Sequence, residues 1–157
     1  MDEIKVTLKG GVEKLYKKGI SLLEIAQDIS PRLAKEALIA KVDGKAKDLS
    51  VKVDEDCNVE ILTFEDEEGR KAFWHSTSHV MAQAVKRLFP ETKLAIGPAI
   101  DEGFYYDFNR DESFTPSDLE KIENEMAKIV AEDYPFCRID VTKEEALSEF
   151  KKMGEPY

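Results

Sequence analysis

Residues 4–31 read IKVTLKGGVEKLYKKGISLLEIAQDISP, and this stretch decides the fold of the first part of the chain. Its first five residues alternate apolar and polar side chains, which is the period of a half-buried strand. Gly10 and Gly11 then predict a two-residue hairpin turn, because glycine tolerates a positive φ at both positions. A second strand is predicted over residues 12–18. The stretch therefore opens with a β-hairpin.

A helix is predicted directly after the hairpin. Ser21 begins it, and Glu24 is the second member of a capping box. Pro31 ends it, and residues 33–37 are predicted to add a short helical turn. The apolar stripe expected to face the core consists of Leu22, Leu23, Ile25, Ala26 and Ile29.

Three further strands complete the first part of the chain. Residues 38–42 and 45–49 flank an Asp43-Gly44 turn, and residues 59–64 form the closing strand. A hairpin, a helix, a second hairpin and a closing strand occur in this order in the β-grasp fold, where one helix packs across a mixed sheet. We therefore predict a β-grasp domain over residues 1–63, separated by an acidic segment from a second domain over residues 66–157.

The second domain is predicted to mix helices with a β-hairpin, so that the fold class of the whole chain is α+β. A long helix is predicted over residues 69–89, ending before Pro90. Strands at residues 94–100 and 104–108 flank a turn and form the hairpin. The long helix is expected to pack on this antiparallel pair.

Two more helices and one strand are predicted after the hairpin. Thr115 and Pro116 have the residue types of an N-cap and a first helical position, and Leu119, Ile122, Met126, Ile129 and Val130 form the expected apolar stripe. A strand is predicted over residues 136–141. Thr142 and Glu145 form a capping box for the last helix, whose expected inner face is Ala146, Leu147 and Phe150.

Charge and composition exclude several classes of protein. The net charge is −10, with 33 acidic and 23 basic residues, which argues against a chain that binds a phosphate backbone unaided. No segment approaches the roughly 20 apolar residues that a membrane-spanning helix needs, so no membrane partner is expected. Cys57 and Cys137 lie outside any metal-type spacing. Two lone thiols favour a cytoplasmic location, and both are expected to be ordinary part-buried side chains.

The two histidines of the chain, His75 and His79, lie four residues apart on the long helix. Their side chains are therefore only about 40° apart around the helix axis. The opposite face carries most of the apolar bulk of this helix and consists of Phe73, Thr77, Val80, Ala84 and Leu88. The histidine face carries Ala72, Ala82 and Lys86, which leave room for a ligand or an opposing element.

The spacing alone leaves three interpretations of the histidine pair open. The pair is a solvated helix face, or half of a zinc site that needs a further ligand, or a pair for acid–base or substrate-orienting chemistry near neutral pH. The aromatic segment at residues 103–108 is similarly open. It is either a plain strand with Phe104, Tyr106 and Phe108 on one side, or a surface that stacks on a base or binds a ribose.

Three segments together resemble one known family. Residues 74–86 (WHSTSHVMAQAVK), 95–100 (AIGPAI) and 103–107 (GFYYD) resemble the bacterial threonyl-tRNA synthetases in order and spacing, and the resemblance covers the whole chain. Residues 1–63 resemble the TGS domain of that family, which is a β-grasp module. Residues 66–157 resemble the first part of its editing domain.

The resemblance implies a hydrolytic role for the second domain. These synthetases must reject serine, which lacks only one methyl group of threonine, and one methyl group discriminates by only about 1–3 kcal/mol. Their editing domain removes serine from mischarged threonine tRNA. By resemblance, His75 and His79 are the catalytic residues and orient the terminal ribose and the attacking water. The substrate-binding residues implied in the same way are Gly97, Tyr105, Tyr106 and Asp107.

The sequence departs from the complete family pattern. The family pocket also uses a lysine and a Cys-x-x-x-His pair, and neither has a counterpart here, since no histidine follows His79. Residues 154–157 resemble the turn that precedes the pocket lysine, so we expect the chain to be an incomplete and inactive fragment. An incomplete domain is expected to expose an apolar edge and to dimerise or aggregate.

The family also implies cofactors and partners that this fragment is not expected to bind alone. ATP, Mg²⁺ and Zn²⁺ are implied for the full-length enzyme, with threonine tRNA as its partner and a homodimer as its assembly. Two other functions remain open: a non-catalytic TGS-containing binding or regulatory module, and the amino-terminal region of a nucleoside kinase-like protein. Intact His75 and His79 favour the editing enzyme, since a purely binding descendant need not keep them.

Overall fold

The computed structural model describes residues 2–156, which form two compact units that divide between Phe73 and Trp74. Each unit has its own hydrophobic core. Within residues 2–156, no helix has both the length and the apolar character that crossing a membrane requires.

The first unit contains nine short elements ahead of a long helix that continues into the second unit, counted over the described residues. In chain order they are β1 (Glu3–Leu8), β2 (Glu13–Lys17), β3 (Ile20–Ser21), α1 (Leu22–Ile29), α2 (Pro31–Glu36), β4 (Ile39–Val42), β5 (Lys45–Lys47), β6 (Lys52–Val53) and β7 (Cys57–Leu62).

The main sheet of this unit has the strand order β2-β1-β7-β4-β5. Strand β1 runs parallel to β7, with Val6 opposite Cys57, and the other neighbouring strands are antiparallel. This mixed sheet with α1 packed against it confirms the predicted β-grasp fold. Strands β3 and β6 pair with each other and were not predicted, because segments of two residues have no readable period.

The capping box of α1 has the predicted geometry. The Glu24 N–H donates to Ser21 Oγ at 3.2 Å, and the Ser21 N–H donates to Glu24 Oε2 at 2.8 Å. Pro31 is the first residue of α2, and not simply the end of α1, because Ser30 ends one helix and caps the next.

The predicted apolar stripe of α1 is only partly correct. Leu22, Ile25 and Ala26 are buried in the core with Ile4, Val6 and Val59, but Leu23 and Ile29 are each 37% exposed. Leu23 is turned by about 100° from Leu22, away from the sheet. Ile29 is the last residue of the helix and lines an open groove instead of the core.

The second unit is built on α3 (Glu67–Leu88), within which the division between the units falls. The elements that follow are β8 (Lys93–Leu94), β9 (Ala99–Ile100), β10 (Gly103–Phe104), β11 (Phe108–Asn109), α4 (Pro116–Glu132) and α5 (Lys143–Lys152). Its core joins Ala84 and Val85 of α3 to Ile122 and Ile129 of α4. Arg87 reinforces this packing with ion pairs to Glu132 at 2.7 Å and Glu125 at 3.2 Å.

The predicted hairpin contains a bulge that divides each strand. Leu94 pairs with Phe108 and Ala99 with Phe104, so residues 95–98 lie opposite the shorter segment 105–107. Because the segment 95–98 has one residue more than the segment opposite it, the two strands cannot pair continuously through the bulge. Pro98 lies in the longer segment and has no backbone N–H with which to pair.

The strand predicted over residues 136–141 is wrong as an element of this structure. Every residue from 131 to 145 is exposed, and Phe136 and Ile139 are each 80% exposed. A strand is defined by a neighbour that accepts and donates its backbone hydrogen bonds, and no other segment within residues 2–156 pairs with this one.

The apolar faces predicted for the last two helices also need correction. On α4, Ile122 and Ile129 are buried and Met126 packs on the core, but Leu119 and Val130 are 59% and 67% exposed. Both are turned about 60–80° from Ile122 in the same direction, which puts them at the edge of the contact. On α5 the capping box forms as predicted, yet the expected inner residues Leu147 and Phe150 are 61% and 52% exposed.

The two cysteines are free thiols, as expected. Cys57 is buried in the core of the first unit, where burial raises the pKa of its thiol. Cys137 is exposed, which corrects the expectation that both are part-buried.

Candidate functional site

The two histidines of α3 are in direct contact. Their Nε2 atoms are 3.1 Å apart, and the ring centroids are separated by 4.6 Å with the rings nearly perpendicular. At this distance one ring nitrogen must donate a proton and the other accept it, so the pair has one shared N–H and two opposite tautomers. Both side chains are exposed, so the remaining edges of the rings are accessible to a ligand.

The environment of His79 favours its neutral form. Burial of part of the ring lowers the pKa of His79 below the ordinary value of 6.5, and the nearby charge of His75 lowers it further. A neutral imidazole can accept a proton from water near pH 7, which is what a general base or an orienting group for water requires.

The metal interpretation of the pair has limited support among the described residues. No group of three histidine, cysteine or acidic side chains within residues 2–156 is arranged to hold a metal ion. His75 and His79 therefore remain, at most, half of a site that needs a further ligand.

Ser78, between the two histidines, attaches α3 to the hairpin. Its side chain is fully buried, and its hydroxyl lies 2.7 Å from the carbonyl oxygen of His75 and 3.0 Å from that of Gly97. The two carbonyls share the single hydroxyl proton, and the contact with Gly97 joins the helix to the bulge of the hairpin. Sequence reasoning missed this role, although a serine within a helix often bonds to a backbone carbonyl one turn earlier.

Gly97 is required at the bulge because an aromatic ring lies against its backbone. A Cβ at this position would lie 2.0 Å from Cδ2 of Tyr106. The Tyr106 ring in turn stacks on Phe108, with centroids 4.7 Å apart and an interplanar angle of 20°. Burial raises the pKa of Tyr106, and the carboxylate of Glu155 raises it further. The structure thus brings Ser78, Gly97 and Tyr106 together in one packed cluster.

Tyr105 and Asp107 lie on the other side of the hairpin. Tyr105 is 45% exposed and the side chain of Asp107 is exposed, whereas Phe104, Tyr106 and Phe108 are half-buried, which is the predicted alternation. The backbone of Asp107 holds the bulge, since its carbonyl accepts from Ala95 at 3.0 Å and its N–H donates to Ile96 at 2.8 Å. Tyr105 and Asp107 therefore present accessible side chains on a fixed backbone.

The histidine face of α3 is partly covered beyond His79. The opposite face packs as predicted in part: Ala84 is buried with Val80 and Leu88 packed against it, but Phe73 is 45% exposed. On the histidine face, however, Ala82 is only 4% exposed, and Lys86 donates to the carbonyls of Pro90 and Thr92 at 3.1 Å. The small side chains on this face were expected to leave room for a ligand or an opposing element. At this end of the helix, an opposing segment occupies that space.

Glu155 belongs to the same cover and was not predicted from the sequence. Its side chain is 10% exposed and pairs with Lys86 at 2.7 Å, and the Leu94 N–H approaches its second oxygen at 3.5 Å. The hydrogen bond from Lys86 lowers the pKa of Glu155 most. Lys93 adds a bond to the carbonyl of Gly154 at 3.1 Å. These contacts tie the turn after α5 to both α3 and the hairpin. Tyr157, the last residue of the predicted turn, lies outside the described residues.

Comparison with known proteins finds one domain family and a set of relatives that match nearly the whole chain. The TGS domain family matches residues 4–63, which are the β-grasp part. The chain is 56% identical to the threonine–tRNA ligase of Desulforamulus reducens over 154 residues, which is 98% of this chain and 24% of that protein. It is 54% identical to the threonine–tRNA ligase of Caldanaerobacter subterraneus over 97% of this chain, and 54% identical to that of Symbiobacterium thermophilum over 98%.

The chain spans about a quarter of the length of these relatives, since each match covers 24% of the relative. The chain is therefore similar to the TGS domain family over residues 4–63 and, over nearly its whole length, to the amino-terminal region of threonine–tRNA ligases.

Proposed function

We propose that this chain is the amino-terminal region of a cytoplasmic threonine–tRNA ligase, which charges threonine tRNA with threonine using ATP. The support is the identity of 54–56% to three such ligases over nearly the whole chain. ATP, Mg²⁺, Zn²⁺ and the homodimer contacts belong, in this proposal, to the part of the longer relatives that has no counterpart here. No step is assigned to a metal within residues 2–156, where no suitable group of three ligands occurs.

The second part of the proposal concerns the unit that begins at Trp74. We infer that it is the first part of the domain that hydrolyses threonine tRNA mischarged with serine, and one observation carries this inference. His75 and His79 present two accessible imidazoles with their Nε2 atoms 3.1 Å apart, on a helix that Ser78 attaches to the hairpin. A solvated helix face has no need of such an attachment, whereas a site that positions a small reactant does.

In the proposed reaction, water attacks the carbonyl carbon of the seryl ester, and the bond to the ribose oxygen breaks. Serine leaves as the free amino acid, and the terminal ribose recovers its hydroxyl group. Neutral His79 accepts a hydrogen bond from the water, and His75 orients the ribose. No covalent intermediate with the chain is required. Tyr105 and Asp107 contact the substrate from the hairpin, while Gly97 and Tyr106 hold the hairpin in place.

The proposal is tested by restoring the missing half of the site. The segment that follows in the Desulforamulus reducens relative is fused after residue 157, and both proteins are incubated with threonine tRNA charged with serine. We expect the fusion to release serine and the 157-residue chain to release little above the rate in buffer. Threonine-charged tRNA serves as the matched control and should be hydrolysed more slowly. A fusion that folds but leaves the seryl ester intact would contradict the assignment.

A further inference from the structure

Two polar contacts attach the hairpin of the second unit to α3. In the first, the Ser78 hydroxyl lies 3.0 Å from the carbonyl oxygen of Gly97 in the bulge. In the second, Lys86 forms an ion pair at 2.7 Å with Glu155, which lies in the turn after α5. Ser78 and Lys86 are about 12 Å apart along the helix axis. The hairpin side of α3 is therefore held at two separate points.

Glu155 is the residue through which the second contact reaches the hairpin. Its side chain is only 10% exposed, and its two carboxylate oxygens contact different elements. Oε1 pairs with Lys86 on α3, whereas the Leu94 N–H approaches Oε2 at 3.5 Å. The Lys93 ammonium adds a bond at 3.1 Å to the carbonyl of the neighbouring Gly154. Strand β8 is thus joined to α3 through this turn.

The contact with α3 requires a carboxylate at position 155. Lys86 also donates to the carbonyls of Pro90 and Thr92 at 3.1 Å, but of these three acceptors only Glu155 carries a negative charge. The hydrogen bond from Lys86 lowers the pKa of Glu155, which keeps the carboxylate charged near neutral pH. Glutamine at position 155 would keep the size of the side chain and leave the Lys86 ammonium, whose side chain is 29% exposed, without this counter-charge.

The two polar contacts restrict the angle between the hairpin and the helix more closely than apolar packing does. Phe108 of the hairpin packs on the core, but apolar attraction has no preferred direction and tolerates small rotations. Hydrogen bonds and ion pairs weaken steeply when the donor and acceptor atoms separate. A rotation of the hairpin about the contact at Ser78 would stretch the contact at Lys86, so the ion pair opposes that rotation.

We propose that Glu155 is a positioning residue for the hydrolysis proposed above. Together with Lys86 it fixes the angle of the hairpin on α3. This angle sets the distance between the histidine pair on the helix and the side chains of Tyr105 and Asp107 on the hairpin. A misplacement of about 1 Å among groups that hold a reactant can lower a rate by about 100-fold. The catalytic consequence rests on the proposed function, whereas the effect on the hairpin angle does not.

The fused protein tests the catalytic consequence. We expect Glu155→Gln to lower the single-turnover rate of seryl ester hydrolysis at saturating enzyme about tenfold, with less than about a twofold change in the enzyme concentration that gives half of that rate. A merely structural role would lower the folded fraction and not the rate of folded molecules. Lys86→Met should cause the same loss, and the double variant should lose no more than either alone, because the two residues act as a pair. Glu149→Gln, at an exposed ion pair with Lys152, is the matched control and should change neither quantity.

Residual dipolar couplings of the 157-residue chain test the hairpin angle without any reaction. These couplings report the orientation of backbone N–H bonds, so the couplings of α3 and of residues 93–109 together give the angle between the helix and the hairpin. In Glu155→Gln and in Lys86→Met, we expect the hairpin couplings to shrink or to fit a rotated hairpin, while those of α3 keep their pattern. Glu149→Gln should leave both sets unchanged, and circular dichroism confirms that each variant folds.

The proposal is overturned if the hairpin keeps its original orientation in folded Glu155→Gln and Lys86→Met. It is equally overturned if the orientation changes while an active fusion keeps its rate. A fusion that folds and never hydrolyses the ester contradicts the proposed function instead, and the couplings then decide by themselves whether Glu155 sets the hairpin angle.

Discussion

The approach of Tyr106 to Gly97 shows how one residue determines the shape of the hairpin. A Cβ at Gly97 would lie 2.0 Å from the tyrosine ring, closer than any stable contact, and the same glycine carbonyl accepts a bond from Ser78. The Tyr106 ring leaves no room for a side chain at position 97, so glycine is required there because of this close contact and not because of its backbone φ angle. A glycine before a proline is visible in the sequence, but the ring that excludes a side chain there is not.

Gly97→Ala is expected to destabilise the chain by about 1–3 kcal/mol, because the ring must move or the bulge must open. Urea denaturation followed by fluorescence measures the loss. Tyr106→Ala provides the matched background, since removing the ring removes the clash. If Gly97→Ala costs the same with and without the Tyr106 ring, close approach is not the reason for the glycine.

His79 should make the free energy of unfolding depend on pH below about pH 6.5. Its pKa is lowered in the folded chain from the ordinary value of 6.5, so folding favours the neutral ring. The contribution is complete above pH 6.5 and is lost as the pH falls from 6.5 towards the lowered pKa. Carboxylates with lowered pKa values, such as Glu155, titrate below this window.

We therefore expect the free energy of unfolding to fall between about pH 7.5 and pH 5.5, and to fall less in His79→Gln. Denaturant titrations at several pH values measure both proteins. His75→Gln removes the smaller of the two causes of the shift and should reduce the dependence only in part. Identical slopes for the original chain and His79→Gln would show that burial of the ring does not oppose its protonation.

At the scale of elements, local signals in the sequence were the ones that could be interpreted correctly. The capping boxes of α1 and α5 form as predicted, because a cap depends on residues three apart in the chain. The bulge in the hairpin could not be predicted, because it depends on the register between two strands. The bond from Ser78 to Gly97 depends on the same long-range packing.

Ser78→Ala tests the attachment of α3 to the hairpin. The substitution leaves the part-buried carbonyl of Gly97 without this donor, and we expect a loss of about 1–2 kcal/mol. Ser76→Ala, two residues earlier on the same helix and half-buried, is the matched control and should change stability by no more than about 0.5 kcal/mol. Equal effects of the two substitutions would show that the serine does not attach the helix.

At the scale of the whole molecule, the two units differ in how completely their apolar faces are covered. The sheet and α1 of the first unit enclose a core that the alternating pattern of the sequence predicts well. In the second unit, residues 136–141 and the apolar side of α5 remain exposed. The sequence patterns of these two segments predicted a strand and a buried helix face, but no described segment covers either of them. Amphipathic patterns indicate which residues become buried, but they do not identify what covers them.

The candidate site was predictable to a similar extent. The spacing of His75 and His79 predicts that both rings share a face, and the structure brings their Nε2 atoms to 3.1 Å. Glu155 and Ser78 were missed as parts of the same region, and Lys86 was placed on the histidine face without its partner, because these contacts depend on residues distant in the chain. The catalytic assignment itself rests on resemblance to the family and remains a prediction.

The catalytic role of the two histidines is tested most directly by the single-turnover rate of seryl ester hydrolysis by the fused protein. The rates of the His75→Ala and His79→Ala variants are each compared with that of the original fusion. Gln83→Ala, at an exposed position one turn further along α3, is the matched control. We expect each histidine substitution to lower the rate at least about 100-fold and Gln83→Ala to leave it unchanged. Rates that survive both histidine substitutions in folded protein would contradict the central claim that this pair positions the reactants.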